Sequence, residues 1–260
     1  MTVHTKELSS ISRYIQLHKD DSLDDKEADF VSIMRTIGRF KSIDKNMRFL
    51  EIGTGTGWFP ILCKKNGIVC KGLEISQQLV EYSRSFGRRY GIEPDIELGN
   101  IEETDIGKSV YDVIVASSVF EHVKNWQTGI GRVFTALKPG GLFYFYSTNK
   151  FSFRSGECPN IPFYGWLPNR WRYRLLVSLR GEDIMKLGVD FNQFTYLQLR
   201  HFFHELGFST VLDALDIAYP NNLARSSVWQ DVGLRALRKL GPVGHVALLF
   251  APGNWFICIK

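Results

Sequence analysis

A glycine-rich segment near the start of the chain carries the residues most able to bind a ligand. Gly53, Gly55 and Gly57 alternate with Thr54 and Thr56, directly after an apolar stretch and directly before a predicted helix. Glycine lets the backbone turn sharply and lets a ligand approach closely, so this strand–loop–helix pattern predicts a nucleotide-like ligand at the loop.

The residues around this loop limit which ligand it can hold. A nicotinamide-binding fingerprint has its third glycine one position later, where this sequence has Trp58. Glu51 places a carboxylate beside the loop, where it would repel a pyrophosphate and attract a cation. S-adenosylmethionine carries an ammonium and a sulfonium but no phosphate, so the pattern favours that cofactor over NAD(P), which stays the weaker alternative. Glu74, at the end of the next predicted strand, can accept both ribose hydroxyls.

The order of these motifs resembles the class I S-adenosylmethionine-dependent methyltransferases, in particular the branch with ubiquinone-biosynthesis O-methyltransferases and small-molecule and sugar methyltransferases. The resemblance is carried by residues 50–57, Glu74 and residues 99–102, 111–114, 121–123 and 137–141. It implies an α/β, Rossmann-like fold with a seven-stranded, mostly parallel sheet in the order 3-2-1-4-5-7-6. The last strand is expected to be antiparallel, with helices on both faces of the sheet and an insertion after strand 5.

The resemblance also implies which residues hold the cofactor. Asn100 stands where family members usually have Asp, and its amide oxygen can still accept a hydrogen bond from the adenine amine. Ser117 is expected near the sulfur. The full predicted set of cofactor-binding residues is Glu51, Gly53, Thr54, Gly55, Gly57, Glu74, Ile75, Asn100, Ile101 and Ser117.

His122 is the candidate catalytic residue. In the ubiquinone branch a Glu-x-x-Glu-His pattern resembles a divalent-metal site, but here Ser118 replaces the first Glu and leaves Glu121 and His122. A hard cation usually needs more oxygen ligands than that, so no metal is predicted. A histidine titrates near neutral pH and can act as a general base toward a hydroxyl. The alternative, a structural histidine at the top of the sheet, stays open.

Alternating apolar segments place these motifs on a single domain. Strands are predicted over residues 47–52, 68–75, 95–98, 110–116, 142–147, 208–217 and 255–259, and helices over 24–40, 58–66, 77–90, 126–137, 195–206 and 227–240. The domain divides into an N-terminal helical lid (1–46), a cofactor-binding half (47–148), an inserted acceptor lid (149–192) and the C-terminal part of the sheet (193–260).

The predicted insertion, residues 149–192, is rich in aromatic residues and arginine. It leaves the sheet at the carboxyl edge, where open α/β folds bind ligands. Aromatic rings stack on sugars or apolar groups and arginine forks onto carboxylate or phosphate. Arg154, Trp166, Arg170 and Arg172 are therefore predicted to bind the acceptor. The alternative is a helical cap whose aromatics form a small core of their own.

Composition narrows the cellular setting. The formal net charge is +5, the four cysteines are scattered, no apolar run is long enough to span a bilayer, and the first residues lack a secretory pattern. A cytoplasmic enzyme is expected, with no nucleic-acid partner because no dedicated motif is present. From residue 232 onward the chain has basic residues and no acid, which predicts peripheral membrane contact unless the segment packs across the sheet edge.

These observations predict methyl transfer by in-line displacement at the sulfonium carbon. The acceptor is expected to be a small molecule, a glycan or a lipid-linked molecule that offers an oxygen. Because the sulfonium is already a good leaving group, positioning of the two reactants supplies most of the acceleration. A catalytically silent binding module of the same fold remains the alternative.

Overall fold

The computed structural model describes residues 9–181, 190–217 and 236–260. Seven strands form one sheet in the order β3-β2-β1-β4-β5-β7-β6. The pairs among the first five positions are parallel, and β7 runs antiparallel to both β5 and β6. The strand order and the antiparallel last strand predicted from the sequence are confirmed. The strands are β1 (Arg48–Ile52), β2 (Val69–Glu74), β3 (Asp95–Leu98), β4 (Tyr111–Ser117), β5 (Leu137–Thr148), β6 (Thr210–Asp213) and β7 (Gly253–Ile259).

Helices cover both faces of this sheet. On one face α2 and α3 pack against Val113 and Val115 of β4, and on the other α5 and α7 pack against Ile114 and Ala116. Successive residues of β4 thus point into opposite cores, which explains its unbroken apolar run. The helices are α1 (Ser9–His18), α2 (Leu23–Phe40), α3 (Trp58–Lys65), α4 (Gln77–Arg88), α5 (Trp126–Ala136), α6 (Asn169–Arg180), α7 (Tyr196–Leu206) and α8 (Ala214–Ile217).

Several elements differ from the sequence prediction. Strand β5 begins at Leu137 and not at residue 142, and helix α6 was not predicted. The strand predicted over 208–217 ends at Asp213, because the Asp213 carboxylate accepts the amide of Leu215 at 3.0 Å and turns the chain into α8. Helix α1 was not predicted, since the apolar contact of this polar segment with α4 is small and consists of Ile11 and Ile15 on Leu79. The predicted helix 227–240 lies largely outside the described residues; residues 236–239 are helical.

The insertion after β5 folds around a small core of its own. Tyr164, at the start of a 3₁₀ turn (Tyr164–Trp166), packs with Leu176 of α6 and with Cys158. A longer 3₁₀ segment (Gly241–Phe250) precedes β7. Across residues 9–181, 190–217 and 236–260, no helix combines the length and apolar character needed to cross a membrane.

Candidate functional site

A cavity of about 410 Å³ opens at the carboxyl ends of β1, β2 and β4. Because parallel strands share this edge, the loops that follow them converge there. The predicted residues that line the cavity are Gly53, Gly55, Glu74, Ile75, Asn100, Ile101 and His122. The sequence motifs spread over some seventy positions therefore meet at one concave site.

The glycine loop is held tightly against its surroundings. Gly53 has a φ of 67°, and a Cβ there would stand 2.5 Å from a methyl of Val119. Gly57 has a φ of 79° and does not line the cavity; a Cβ there would stand 2.6 Å from the Cβ of Ser83 on α4. A side chain at either position would require a rearrangement, so both positions need glycine.

Glu74 fixes the far side of the loop. One carboxylate oxygen accepts the amide of Gly55 at 2.8 Å, and the other accepts the amide of Ser76 at 3.1 Å. Burial raises the pKa of Glu74, and these backbone hydrogen bonds act in the opposite direction. The carboxylate therefore joins the turns that follow β1 and β2.

Glu51 is buried at the end of β1 and does not itself line the cavity. Its Oε2 atom has no hydrogen-bond partner among the described residues, and burial raises its pKa well above the ordinary value. An unpaired buried carboxylate oxygen is costly unless a donor or a cation is brought to it. Thr54 is likewise buried, whereas Ser117 is exposed and lies outside the cavity lining.

Helix α1 supplies two cavity residues that the sequence analysis missed, Ile11 and Tyr14. The Tyr14 hydroxyl lies 3.2 Å from the place where a Cβ on Gly55 would stand. Burial raises the pKa of Tyr14 to about 12, with smaller contributions from Glu74 and Glu51. The helical spacing of Ile11, Tyr14 and Ile15 was the available signal, but a short polar helix gives it weakly.

His122 reaches the cavity from a 3₁₀ turn (Phe120–His122) that follows β4. Its side chain is 35 % exposed, and its Nδ1 atom lies 3.7 Å from Oδ1 of Asp190, which is buried. Asp190 also accepts the hydroxyl of Thr148 at 3.2 Å. Burial raises the pKa of Asp190 to about 7, and His122 acts in the opposite direction.

The acceptor role predicted for Arg172 is corrected by the structure. Its guanidinium is fully buried and donates to Glu157 at 2.8 Å, to Asn169 at 2.9 Å and to the carbonyl of Asp190 at 2.9 Å. This side chain holds the insertion together and cannot reach a ligand. Arg154, Trp166 and Arg170 are exposed, but they do not line the cavity either.

Comparison with known proteins identifies the family. A family model described as a methyltransferase domain matches residues 23–212. The chain belongs to the S-adenosylmethionine-dependent methyltransferases. The same residues 23–212 include α2, the glycine loop, Glu74, His122 and the whole insertion, so the family match covers the site described above except Ile11 and Tyr14 of α1.

Curated relatives of this methyltransferase match only in part. A ubiquinone biosynthesis O-methyltransferase from Coxiella burnetii is 24 % identical over 106 residues, which cover 41 % of this chain and 45 % of that one. A ribosomal protein L11 methyltransferase from Dictyoglomus thermophilum is 30 % identical over 105 residues, 40 % of this chain and 33 % of that one. The chain thus spans less than half the length of these two relatives.

Solved structures share the fold over almost the whole methyltransferase. An S-adenosylmethionine-dependent methyltransferase from Archaeoglobus fulgidus has a TM-score of 0.55 at 18 % identity and covers 95 % of this chain and 99 % of its own. Phosphoethanolamine N-methyltransferase 2 from Haemonchus contortus, in complex with S-adenosylmethionine, has a TM-score of 0.56 at 16 % identity. The match covers 97 % of this chain and 57 % of that one.

Proposed function

We propose that this methyltransferase transfers its methyl group to an oxygen of a small-molecule, glycan or lipid-linked acceptor. The observation that carries the proposal is that His122 lines the same cavity as Glu74 and the glycine loop. A histidine at that place can take the proton of a hydroxyl as its oxygen is alkylated. The partial similarity to an enzyme named ubiquinone biosynthesis O-methyltransferase supports the same class of acceptor atom.

The residues present fit S-adenosylmethionine. Glu51 has an unpartnered buried oxygen that suits the ammonium of the methionine part, and the positive φ values of Gly53 and Gly55 leave room for it. Glu74 would accept the ribose hydroxyls, and Ile75, Asn100 and Ile101 would surround the adenine. When bound, the cofactor supplies the methyl group on a positively charged sulfur.

Among residues 9–181, 190–217 and 236–260, no three His, Cys, Asp or Glu side chains come together as a metal site.

His122 would then accept the acceptor proton, and the walls of the cavity would position the acceptor. As the acceptor oxygen takes up the methyl group, its proton would pass to His122. Asp190 would stabilise the imidazolium so formed. Positioning by the apolar walls supplies most of the rate, since the leaving group needs no assistance.

The N-terminal segment and the insertion after β5 would act as lids. We propose that residues 1–46 cover the cofactor, because α1 already contributes Ile11 and Tyr14 to the cavity. Residues 149–192 would cover the acceptor, and the exposed Arg154, Trp166 and Arg170 would contact it only where it extends beyond the cavity. The basic segment from residue 232, in a cytoplasmic enzyme, would provide peripheral membrane contact; residues 218–235 lie outside the described residues.

A methyl-transfer assay with labelled S-adenosylmethionine tests this proposal on catechols, free sugars and lipid-linked glycans. The expected result is an O-methylated product with one acceptor class and a loss of turnover in His122→Gln, with unchanged binding of S-adenosylhomocysteine by calorimetry. Tight binding of S-adenosylhomocysteine without transfer to any oxygen acceptor would favour the silent binding module instead.

A further inference from the structure

Four aromatic side chains form an exposed apolar surface outside the cavity. Phe153, Phe163, Trp166 and Phe250 are 56 %, 48 %, 41 % and 41 % exposed. Each ring contacts two of the others. The centroid of Phe163 lies 5.6 Å from that of Phe153 and 5.4 Å from that of Trp166. The centroid of Phe250 lies 6.1 Å from that of Phe153 and 6.2 Å from that of Trp166. We call this surface the aromatic patch. Large apolar groups that cluster on a surface mark an interaction site.

The aromatic patch is built from two segments that are far apart in sequence. The buried Asn149 donates its side-chain amide to the carbonyls of Leu248, Leu249 and Ala251, which holds the 3₁₀ segment before β7 against the start of the insertion. Phe250 is therefore carried to the insertion by a buried hydrogen-bonded anchor. Such an anchor shows that the juxtaposition is a defined part of the fold.

Two hydrogen bonds hold together the parts of the insertion that carry the other three rings. The amide of Phe163 donates to the carbonyl of Phe153 at 2.9 Å, and the indole nitrogen of Trp166 donates to the carbonyl of Ser152 at 3.2 Å. Phe163 has a φ of 59°, a left-handed conformation that a bulky residue rarely adopts. An aromatic side chain stands where glycine would be the easiest choice, and its ring is exposed.

Basic residues predominate in the two described segments that carry the aromatic patch. Lys150, Arg154, Arg170 and Arg174 belong to the same segment, and the only acid between residues 150 and 181, Glu157, is buried in its ion pair with Arg172. The other contributing segment, residues 240–250, has no acid and exposes further apolar side chains at Val243 and Val246. The described residues 150–181 therefore combine three rings of the aromatic patch with exposed basic side chains at Arg154, Arg170 and Arg174.

We propose that the aromatic patch binds the surface of an anionic lipid bilayer. Aromatic rings are favoured at the boundary between headgroups and acyl chains, and basic side chains around them are attracted to anionic headgroups. Single-stranded nucleic acid fits less well, because base stacking needs free ring faces and these rings pack on one another. The proposal goes beyond methyl transfer and does not depend on it. Through Phe250 the aromatic patch overlaps the segment from residue 232 for which membrane contact is proposed above, and it adds the three aromatic side chains of the insertion.

Vesicle co-sedimentation of the full chain tests the proposal, with phosphatidylcholine vesicles with and without phosphatidylglycerol. Wild-type protein is expected to bind the anionic vesicles and not the neutral ones. Phe250→Glu should weaken binding about tenfold or more, because it removes an apolar group and adds repulsion. The matched control is Leu197→Glu, at a side chain that is 60 % exposed on α7, which should bind as the wild type does.

Phe163→Gly separates binding from folding. Glycine favours the left-handed backbone at this position, which offsets the lost ring contacts, so the variant should unfold cooperatively in a thermal melt while vesicle binding falls. Absence of wild-type binding to anionic vesicles, or equal binding by Phe250→Glu, overturns the proposal. Sedimentation velocity tests whether the patch instead binds a second copy of the chain. A concentration-dependent dimer in the wild type that is lost in Phe250→Glu would also overturn the proposal.

Discussion

The Nδ1 atom of His122 faces the buried carboxylate of Asp190 at 3.7 Å, and the two residues come from different parts of the chain. His122 follows β4, whereas Asp190 lies at the end of the insertion. The amide of Asp190 donates to Glu157 at 3.1 Å, and its carbonyl accepts from Arg172 at 2.9 Å. The buried ion pair of the insertion thus places the carboxylate that faces the candidate base.

Asp190→Asn is expected to lower turnover about tenfold and to change its pH dependence. An ionised Asp190 stabilises a positive charge on His122, and the pKa of Asp190 is raised to about 7, mainly by burial with help from Glu157 and Glu121. The ionised fraction falls as the pH falls through 7, so this contribution to turnover falls with it. Turnover measured from pH 5.5 to 9 (roughly the range that brackets this pKa) should show that loss in the wild type and not in Asp190→Asn.

The binding of S-adenosylhomocysteine is the control for this variant. Asparagine has the shape of Asp190 and can still accept the hydroxyl of Thr148, so the cofactor affinity should not change. If both proteins had the same pH profile, Asp190 would not act through His122.

The same carboxyl group makes the stability of the fold depend on pH. Its ordinary pKa of 3.8 is raised to about 7 in the folded protein, so the folded state holds the proton more tightly than the unfolded chain does. The stability contributed by this group is fully present below about pH 4 and is lost as the pH rises through about 7. The free energy of unfolding of Asp190→Asn, taken relative to that of the wild type, should therefore be higher at pH 8 than at pH 4 by on the order of 2–4 kcal/mol. Urea unfolding at both pH values measures this difference, and a difference independent of pH would contradict the assignment.

The central sheet and the cofactor loop could be predicted from local sequence signals. The apolar run of β4 and the glycine spacing before α3 depend on residues close together in the chain. The fold confirms the strand and the strand–loop–helix turn, and the binding of the cofactor by that turn stays a prediction. Tyr14, Asp190 and the burial of Arg172 could not be predicted in this way. Each depends on which distant segments pack together. The local sequence around an arginine among aromatic residues is the same whether its side chain is buried or exposed.

Glu74→Ala is expected to weaken binding of S-adenosylhomocysteine about 10- to 100-fold. The variant removes the carboxylate that is proposed to accept the ribose hydroxyls. The same carboxylate accepts the amides of Gly55 and Ser76. Hydrogen bonds to a charged acceptor contribute about 1.5–3 kcal/mol each, so the loss should be measurable by calorimetry. Glu81→Ala, at an exposed acid on α4, is the matched control. An unchanged affinity in Glu74→Ala would place the ribose elsewhere.

Arg172→Met is expected to destabilise the fold by about 3–5 kcal/mol, because it leaves Glu157 buried without its cationic partner. Replacing both partners, as in Arg172→Met/Glu157→Met, should recover part of that loss, since no buried charge remains unpaired. Arg170→Met, at an exposed neighbour, should change stability by less than about 0.5 kcal/mol. Urea unfolding of the three variants checks this order. If Arg172→Met were as stable as Arg170→Met, the guanidinium would be free to contact a ligand, and the acceptor role predicted from the sequence would have to be restored.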